Sequence, residues 1–361
     1  MTTQPQFIYL ICQNGAEAVC KAEVTANHPE LRLAFSRPGF LTFKCDGDSL
    51  PERFHLKSTF ARSYGWSVGN SKSDDLAGHL ESFRQYEQLP TSNHLHVWQR
   101  DTRLPGQSGF EPGGNPLTEQ IGSELAAAFE KQFNKKLPVN KHAKADEQVF
   151  DVVVVEPNHW FAGYHFAATT FQRWPGGAPN LDTDTPVVNR AYFKLNEALL
   201  WSGIHIQPND CCAEIGSSPG GACQLLLEKG ARVIAVDPAE MEPAILEHEN
   251  LTHLRCRGKE VRKKELKDVR WLLSDLNATP VYTLDTIEEI VNNQHVNHIR
   301  GLILTLKLTD WELANQIPEW IERIKKLGFQ LVKTRQLAFN RREICLFAVR
   351  DRFALRSSRK R

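Results

Sequence analysis

No apolar run in this chain is long enough to cross a bilayer. The opening Met1-Thr2-Thr3-Gln4-Pro5-Gln6 lacks the basic start and apolar stretch of an export signal. A cytoplasmic chain without a membrane partner is therefore expected. Excess charge is missing too. Against 44 Lys and Arg stand 43 Asp and Glu, a formal net charge of +1, which excludes a uniformly basic nucleic-acid coat and leaves only local patches. One such patch is the end of the chain, with Arg350, Arg352, Arg356, Arg359, Lys360 and Arg361. None of the 8 cysteines forms a C-x-x-C pair, so they read as reduced core thiols and not as zinc ligands or disulfides. His94-x-His96 has the residue types of a metal site, but on a strand it reads as a surface pair, and no metal is expected. Internal repeats and low-complexity tracts are absent.

What is present is an ordinary globular composition, 41% hydrophobic and 24% charged, over 361 residues. At roughly 100–200 residues per domain, that length suggests two or three domains. Phe7–Cys12 reads as a strand, Gly15–Ala26 as a helix, and 31–35 and 40–45 as strands around Pro38-Gly39. Leu50–Phe60 is a candidate second helix. A second α+β pattern follows: a strand at 95–100, a helix at 117–133, and two strands at 150–156 and 160–167. Phe171–Pro186, rich in proline and glycine, reads as a linker. Beyond it helices and strands alternate, ending in a long helix over 311–327 and two closing strands at 331–337 and 344–350. That alternation predicts an α/β fold with a largely parallel, doubly wound sheet, whose ligands sit beyond the carboxyl ends of the strands.

The stretch Glu214-Ile215-Gly216-Ser217-Ser218-Pro219-Gly220-Gly221 joins a predicted strand to a predicted helix. It lacks the second glycine of the dinucleotide fingerprint G-x-G-x-x-G, which disfavours a nicotinamide oxidoreductase. Pro219 removes an amide donor that a pyrophosphate would use. S-adenosylmethionine carries no phosphate and tolerates that loss, while the glycines allow the close backbone approach it needs. Asp237, the acid at the next strand end, suits the two ribose hydroxyls of an adenosine. Glu214 suits an ammonium group. Glu214, Gly216, Ser217, Ser218, Pro219, Gly220, Gly221, Asp237 and Asp275 are the expected cofactor residues.

Lys307 closes the apolar strand Leu302–Leu306, and Asp275 closes the strand at 271–274. Glu343 opens the last strand, and Lys194 lies on the helix before the sheet. Lys194, Asp275, Lys307 and Glu343, in this order around a nucleotide turn, resemble the Lys-Asp-Lys-Glu set of the FtsJ-like ribose 2′-O-methyltransferases. Arg190–Leu199 is similar to that family's first tetrad segment, and the turn resembles its D-x-G-x-x-P-G-G. Tyr9–Val24 resembles the start of the THUMP-containing branch that methylates a cytidine of bacterial large-subunit ribosomal RNA. The resemblance implies a Rossmann-like methyltransferase domain over 186–361, with the motifs in 186–350. It further implies a ferredoxin-like unit over 1–85, a THUMP-like RNA-binding unit over 86–170, and a linker over 171–185. The implied activity is S-adenosylmethionine-dependent methylation of an RNA ribose, with RNA as partner, no DNA, and a monomeric chain. Lys307 is then the candidate base for the 2′-hydroxyl. Two departures stand out: Glu214 replaces an aspartate, and Arg255–Lys259 lacks the aspartate often placed near the adenine. The competing class is an RNA-binding assembly factor with an inactive methyltransferase fold.

Overall fold

The computed structural model describes residues 5–46, 50–83, 86, 88–110, 112–181, 183–296 and 298–351. Of the basic residues near the C-terminus only Arg350 lies among them. Its guanidinium donates to the carbonyls of Ile299 and Leu327 at 3.0 and 2.9 Å. The chain divides into two compact units at Asn180–Leu181.

The first unit runs β1 (Phe7–Ile11), α1 (Glu17–Asn27), β2 (Leu31–Arg37), β3 (Phe40–Cys45), β4 (Ser63–Lys72), α2 (Leu76–Phe83), α3 (Gln88–Thr91), β5 (His94–Gln99), α4 (Pro116–Phe133), β6 (Gln148–Glu156) and β7 (His159–Phe166). All seven strands join one sheet in the order β2-β3-β1-β4-β7-β6-β5, antiparallel except for the β5–β6 pair. The two strand patterns read from the sequence meet in this sheet, where β4 pairs with β7. The period of two along β6 sorts its valines onto opposite faces. Val152 and Val154 pack with Leu125 and Phe129 of α4, while Val153 and Val155 pack with Tyr9, Phe40 and Phe161.

Three details depart from expectation. Residues 50–60 form no helix. Instead the Glu23 carboxylate accepts the backbone N–H groups of Thr59 and Phe60, and Phe54 packs on Tyr64 and Trp66. Tertiary contacts thus take the donors a helix would have used. His94 and His96 are buried rather than superficial. Residues 138–140 cover β5, and the two Nε2 atoms meet the Glu147 carboxylate and the Lys141 carbonyl at 2.9 Å each. Among the described residues no group of three or more His, Cys, Asp or Glu side chains could hold a metal ion. Within the expected linker stretch, Phe171 to Ala178 are mostly buried, and the Gly176 carbonyl accepts from Arg62 at 2.9 Å.

The second unit runs α5 (Ala191–Ser202), β8 (Cys211–Ile215), α6 (Gly221–Glu228), β9 (Arg232–Val236), α7 (Pro243–Leu246), β10 (Leu251–Leu254), β11 (Trp271–Ser274), α8 (Pro280–Val291), β12 (Gly301–Lys307), α9 (Ile317–Lys326), β13 (Leu331–Arg335) and β14 (Glu343–Val349). Its sheet order is β10-β9-β8-β11-β12-β14-β13. The first five strands are parallel, and β14 runs antiparallel to both β12 and β13. Strand order reverses between β8 and β11, the switch point where α/β sheets place their ligands. The long helix expected over 311–327 is broken. A tight turn of helix covers Trp311–Gln316, capped by Asp310, and α9 restarts with Pro318 in its first turn. All eight cysteines are free and seven are buried. No helix among the described residues is long and apolar enough to cross a membrane.

Candidate functional site

Five neighbouring strands deliver their ends to one edge of the second sheet. The glycine turn follows β8, Asp237 follows β9, Asp275 follows β11, and Lys307 ends β12. Because β14 is antiparallel, its first residue, Glu343, sits in register with Lys307. The backbone alone therefore brings the last three charges of the expected quartet together, and α5 adds Lys194.

The four side chains close a ring of alternating charge. Lys307 Nζ donates to Asp275 Oδ1 at 2.8 Å and to Glu343 Oε2 at 2.5 Å. Lys194 Nζ meets the remaining oxygens, Glu343 Oε1 at 3.1 Å and Asp275 Oδ2 in a direct ion pair. Two lysines and two carboxylates leave the ring formally neutral, which allows four ionised groups to share a buried space. Exposure is unequal. Lys194 and Glu343 side chains are 7% and 4% exposed, against 19% for Lys307, so Lys307 is the lysine an incoming group can reach. Burial alone would favour a neutral Lys307, but Asp275 and Glu343 outweigh it and hold its proton more tightly than in an ordinary lysine. Burial would also raise both carboxyls, yet the lysines keep Asp275 and Glu343 below the usual carboxylate range.

The turn beside the ring is built for a close approach. Gly216 has φ +85°, and a Cβ there would stand 3.0 Å from the Leu276 Cα. Gly220 has φ +118° and precedes α6, which Gly221 begins. A left-handed backbone and a crowded Cβ together explain glycine at 216. Asp237 fixes the turn by accepting Ser218 N–H at 3.2 Å and Ala239 N–H at 2.8 Å. Ser217 is buried, Ser218 Oγ donates to the Glu240 carbonyl at 2.6 Å, and the Pro219 carbonyl accepts from Glu242 N–H at 2.9 Å. Glu214 lies inside, one residue before the end of β8, and the Cys223 thiol donates to it at 2.9 Å. Burial pushes its carboxyl up to about 8. A cavity of about 30 Å³ runs between Lys194, Glu214, Ser274, Asp275, Thr305 and Asn340.

The donor set decides what can bind. Glu214, Asp237 and Asp275 put three acids around one turn, and Pro219 removes an amide donor from it, so a pyrophosphate is under-bonded there. A cationic ligand with free ribose hydroxyls fits the same atoms, because acids accept hydroxyl and ammonium donors. S-adenosylmethionine meets these terms. The segment lacking the expected aspartate passes over the end of β8, and a Cβ at Gly258 would lie 2.5 Å from Ile215 Cγ2.

Every expected site residue lies along this edge, and the structure adds some that sequence reasoning missed. Glu197, one turn after Lys194 on α5, is fully buried and accepts the backbone N–H groups of Ala338 and Phe339 at 2.8 and 3.0 Å. That loop carries Asn340, whose amide donates to Glu343 Oε1 at 3.4 Å. Arg190 Nη2 stands 4.0 Å from the same oxygen. The helical spacing from Lys194 to Glu197 was the one signal available in the sequence.

Residues 187–340 match the model of the FtsJ-like methyltransferase family. The chain is 25% identical over 355 residues to the ribosomal RNA large subunit methyltransferase M of Shewanella sp. (strain ANA-3), covering 90% of this chain and 92% of that protein. It is 23% identical over 371 residues to the protein of the same name from Serratia proteamaculans (strain 568), covering 93% and 94%. The acid-lined turn and three members of the ring, Lys194, Asp275 and Lys307, lie within the stretch that is similar to the FtsJ-like methyltransferases.

Proposed function

We propose that this chain is an S-adenosylmethionine-dependent RNA ribose 2′-O-methyltransferase acting on large-subunit ribosomal RNA, with a cytidine as the target. The observation that carries the proposal is the closed ring of Lys194, Asp275, Lys307 and Glu343 beside the acid-lined turn. The names of the relatives support the substrate class. Residues 1–85, as a ferredoxin-like unit, and 86–170, as a THUMP-like unit, recognise the RNA, and 186–361 form the methyltransferase domain. The test is mass mapping of ribose methylation in rRNA from a strain lacking the chain. One 2′-O-methyl group should vanish and return on complementation. An unchanged map refutes the assignment.

S-adenosylmethionine, when bound, supplies a methyl group on a positively charged sulfur. The residues do the rest. Asp237 takes the ribose hydroxyls of the cofactor, the turn 216–221 lets the backbone approach, and Glu214 and Asp275 face the positive charges. Lys307 receives the proton of the RNA 2′-hydroxyl once it is itself neutral. Lys194 and Glu343 hold Lys307 and Asp275 in place.

Two outcomes are expected in calorimetry. Asp237→Ala should weaken cofactor binding about 5- to 150-fold, roughly 1–3 kcal/mol for unpaired polar groups. Unchanged affinity would remove Asp237 from the site. Glu214 predicts a pH effect. Its carboxyl is raised to about 8, so it keeps its proton at neutral pH in the ligand-free protein. Facing a cation it must lose that proton. Binding should therefore release a proton and tighten as pH rises toward 8, by up to about tenfold per pH unit. Glu214→Gln should flatten this dependence. Heats identical in buffers of different ionisation enthalpy would show that no proton leaves.

A further inference from the structure

Two aromatic residues each directly precede a residue bonded to Glu343, and the reaction as described does not use them. Phe193 precedes Lys194 on α5, and Phe339 precedes Asn340 on the loop between β13 and β14. Their rings stack with centroids 5.3 Å apart and planes 17° apart. Both are half-buried, although each adjoins a residue that is buried and bonded to Glu343. The position of Phe339 is not left to packing alone. The fully buried Glu197 carboxylate holds its N–H at 3.0 Å and that of Ala338 at 2.8 Å. Asn340 closes the loop from the other side, its Oδ1 accepting Leu337 N–H at 2.9 Å. A buried carboxylate spent on two backbone amides is a costly way to place a loop unless the loop's geometry matters. The next two residues, Arg341 and Arg342, are exposed.

We infer that Phe193 and Phe339 form the platform on which the base of the target nucleotide stacks, so that its ribose hangs over Lys307. The inference rests on the ribose-methylation reading and names the part of the site that takes the base. Stacking on an aromatic face suits a nucleotide pulled out of its neighbours, and it orients the sugar without reading the phosphate. The charged ring itself offers no apolar surface for a base. The adjoining arginines place positive charge where the backbone of the same strand would run.

The test separates a ring that stacks a base from a ring that merely packs. 4-Fluorophenylalanine is installed at position 339 in the full chain, and its fluorine resonance is followed as oligocytidylate RNA is added. A saturable shift is expected. In parallel, kcat/KM is measured for methyl transfer to rRNA purified from a strain lacking the chain. Phe339→Leu keeps apolar bulk but loses the aromatic face, and should lower kcat/KM about 5- to 150-fold, the range for losing one base–aromatic stack. Phe339→Tyr should stay near the wild type, and calorimetry should show unchanged cofactor affinity in both. A fluorine resonance unmoved at saturating oligocytidylate, or a leucine variant as active as wild type, overturns the platform even where the wild type methylates rRNA. A clear fluorine shift in a protein that transfers no methyl group would leave the platform standing and sink the ribose-methylation reading.

Discussion

Lys307→Ala should abolish methyl transfer while leaving cofactor affinity nearly intact. In the proposed reaction the lysine acts on the ribose hydroxyl, whereas the cofactor meets the turn at 216–221 and Asp237. Loss of a positioned proton acceptor alone typically costs about 10²- to 10⁴-fold. The variant also leaves Asp275 and Glu343 sharing one cation, Lys194, so the remaining charges shift as well. Lys307→Arg is the sharper test. It keeps the positive charge between the carboxylates, but a guanidinium does not give up its proton near neutral pH, so this variant should be equally inactive. The sign of the pH effect follows from the ring. Asp275 and Glu343 raise the affinity of Lys307 for its proton, so the reactive neutral amine is scarce at neutral pH. The single-turnover rate should therefore climb through the alkaline range, by up to about tenfold per pH unit below the lysine's own titration. The same shift has an opposite face in stability. The ring favours the ammonium, so its stabilisation by Lys307 is present below the lysine's unfolded value and fades as pH rises through the folded one. An arginine variant with near-normal turnover, or a flat pH profile, would leave Lys307 as an electrostatic contact for the RNA and not a base.

Much of this site was legible because it stands at ends of strands. The apolar run Leu302–Leu306 announces a buried strand, and a lysine closing it has one direction to face. The glycine turn and Asp237 are legible for the same reason, since parallel strands aim their last residues at one crevice. The pairing of Glu343 with Lys307 was not. It depends on β14 entering antiparallel between β12 and β13, a matter of sheet order that local pattern does not encode. In the first unit the ten-residue strand β4 went unread. Its sequence, Ser-Tyr-Gly-Trp-Ser-Val-Gly-Asn-Ser-Lys, is polar and glycine-rich, yet it lies between β1 and β7 with its first five residues buried. Neighbours on both sides, not its own propensity, make it a strand. Residues 50–60 show the reverse. Leu50, Leu56 and Phe60 are buried as a helix would have them, but Glu23 takes the backbone donors. Glu197 looks like any glutamate on a helix until the loop at 338–339 is folded against it.

Arg62 and Asp101 are the extreme case of that illegibility, and they carry the largest expected effect on stability. Nothing in their local sequence marks them, but the fold buries both, with side chains 2% and 1% exposed. Arg62 Nη1 meets Asp101 Oδ2 at 2.5 Å and Nη2 meets Oδ1 at 3.2 Å, a two-pronged pair. The third donor, Nε, holds the Gly176 carbonyl at 2.9 Å. Asp101→Ala strips the carboxylate that the buried guanidinium meets through two of its nitrogens. Breaking such a pair costs about 3–5 kcal/mol, much more than an exposed pair is worth. In a unit of this size that should lower its thermal midpoint by roughly 6–20 °C, at about 2–4 °C per kcal/mol. Arg62→Met together with Asp101→Leu should recover most of the loss, because no buried charge then remains. The double variant still lacks a donor for Gly176, so recovery should stop short of the wild type. Thermal unfolding of the single and double variants checks this. If Asp101→Ala unfolds with the wild type, the pair is not the buried charge lock its geometry describes. If the double variant falls as far as the single one, the loss comes from packing around Gly176 and not from the broken charge pair.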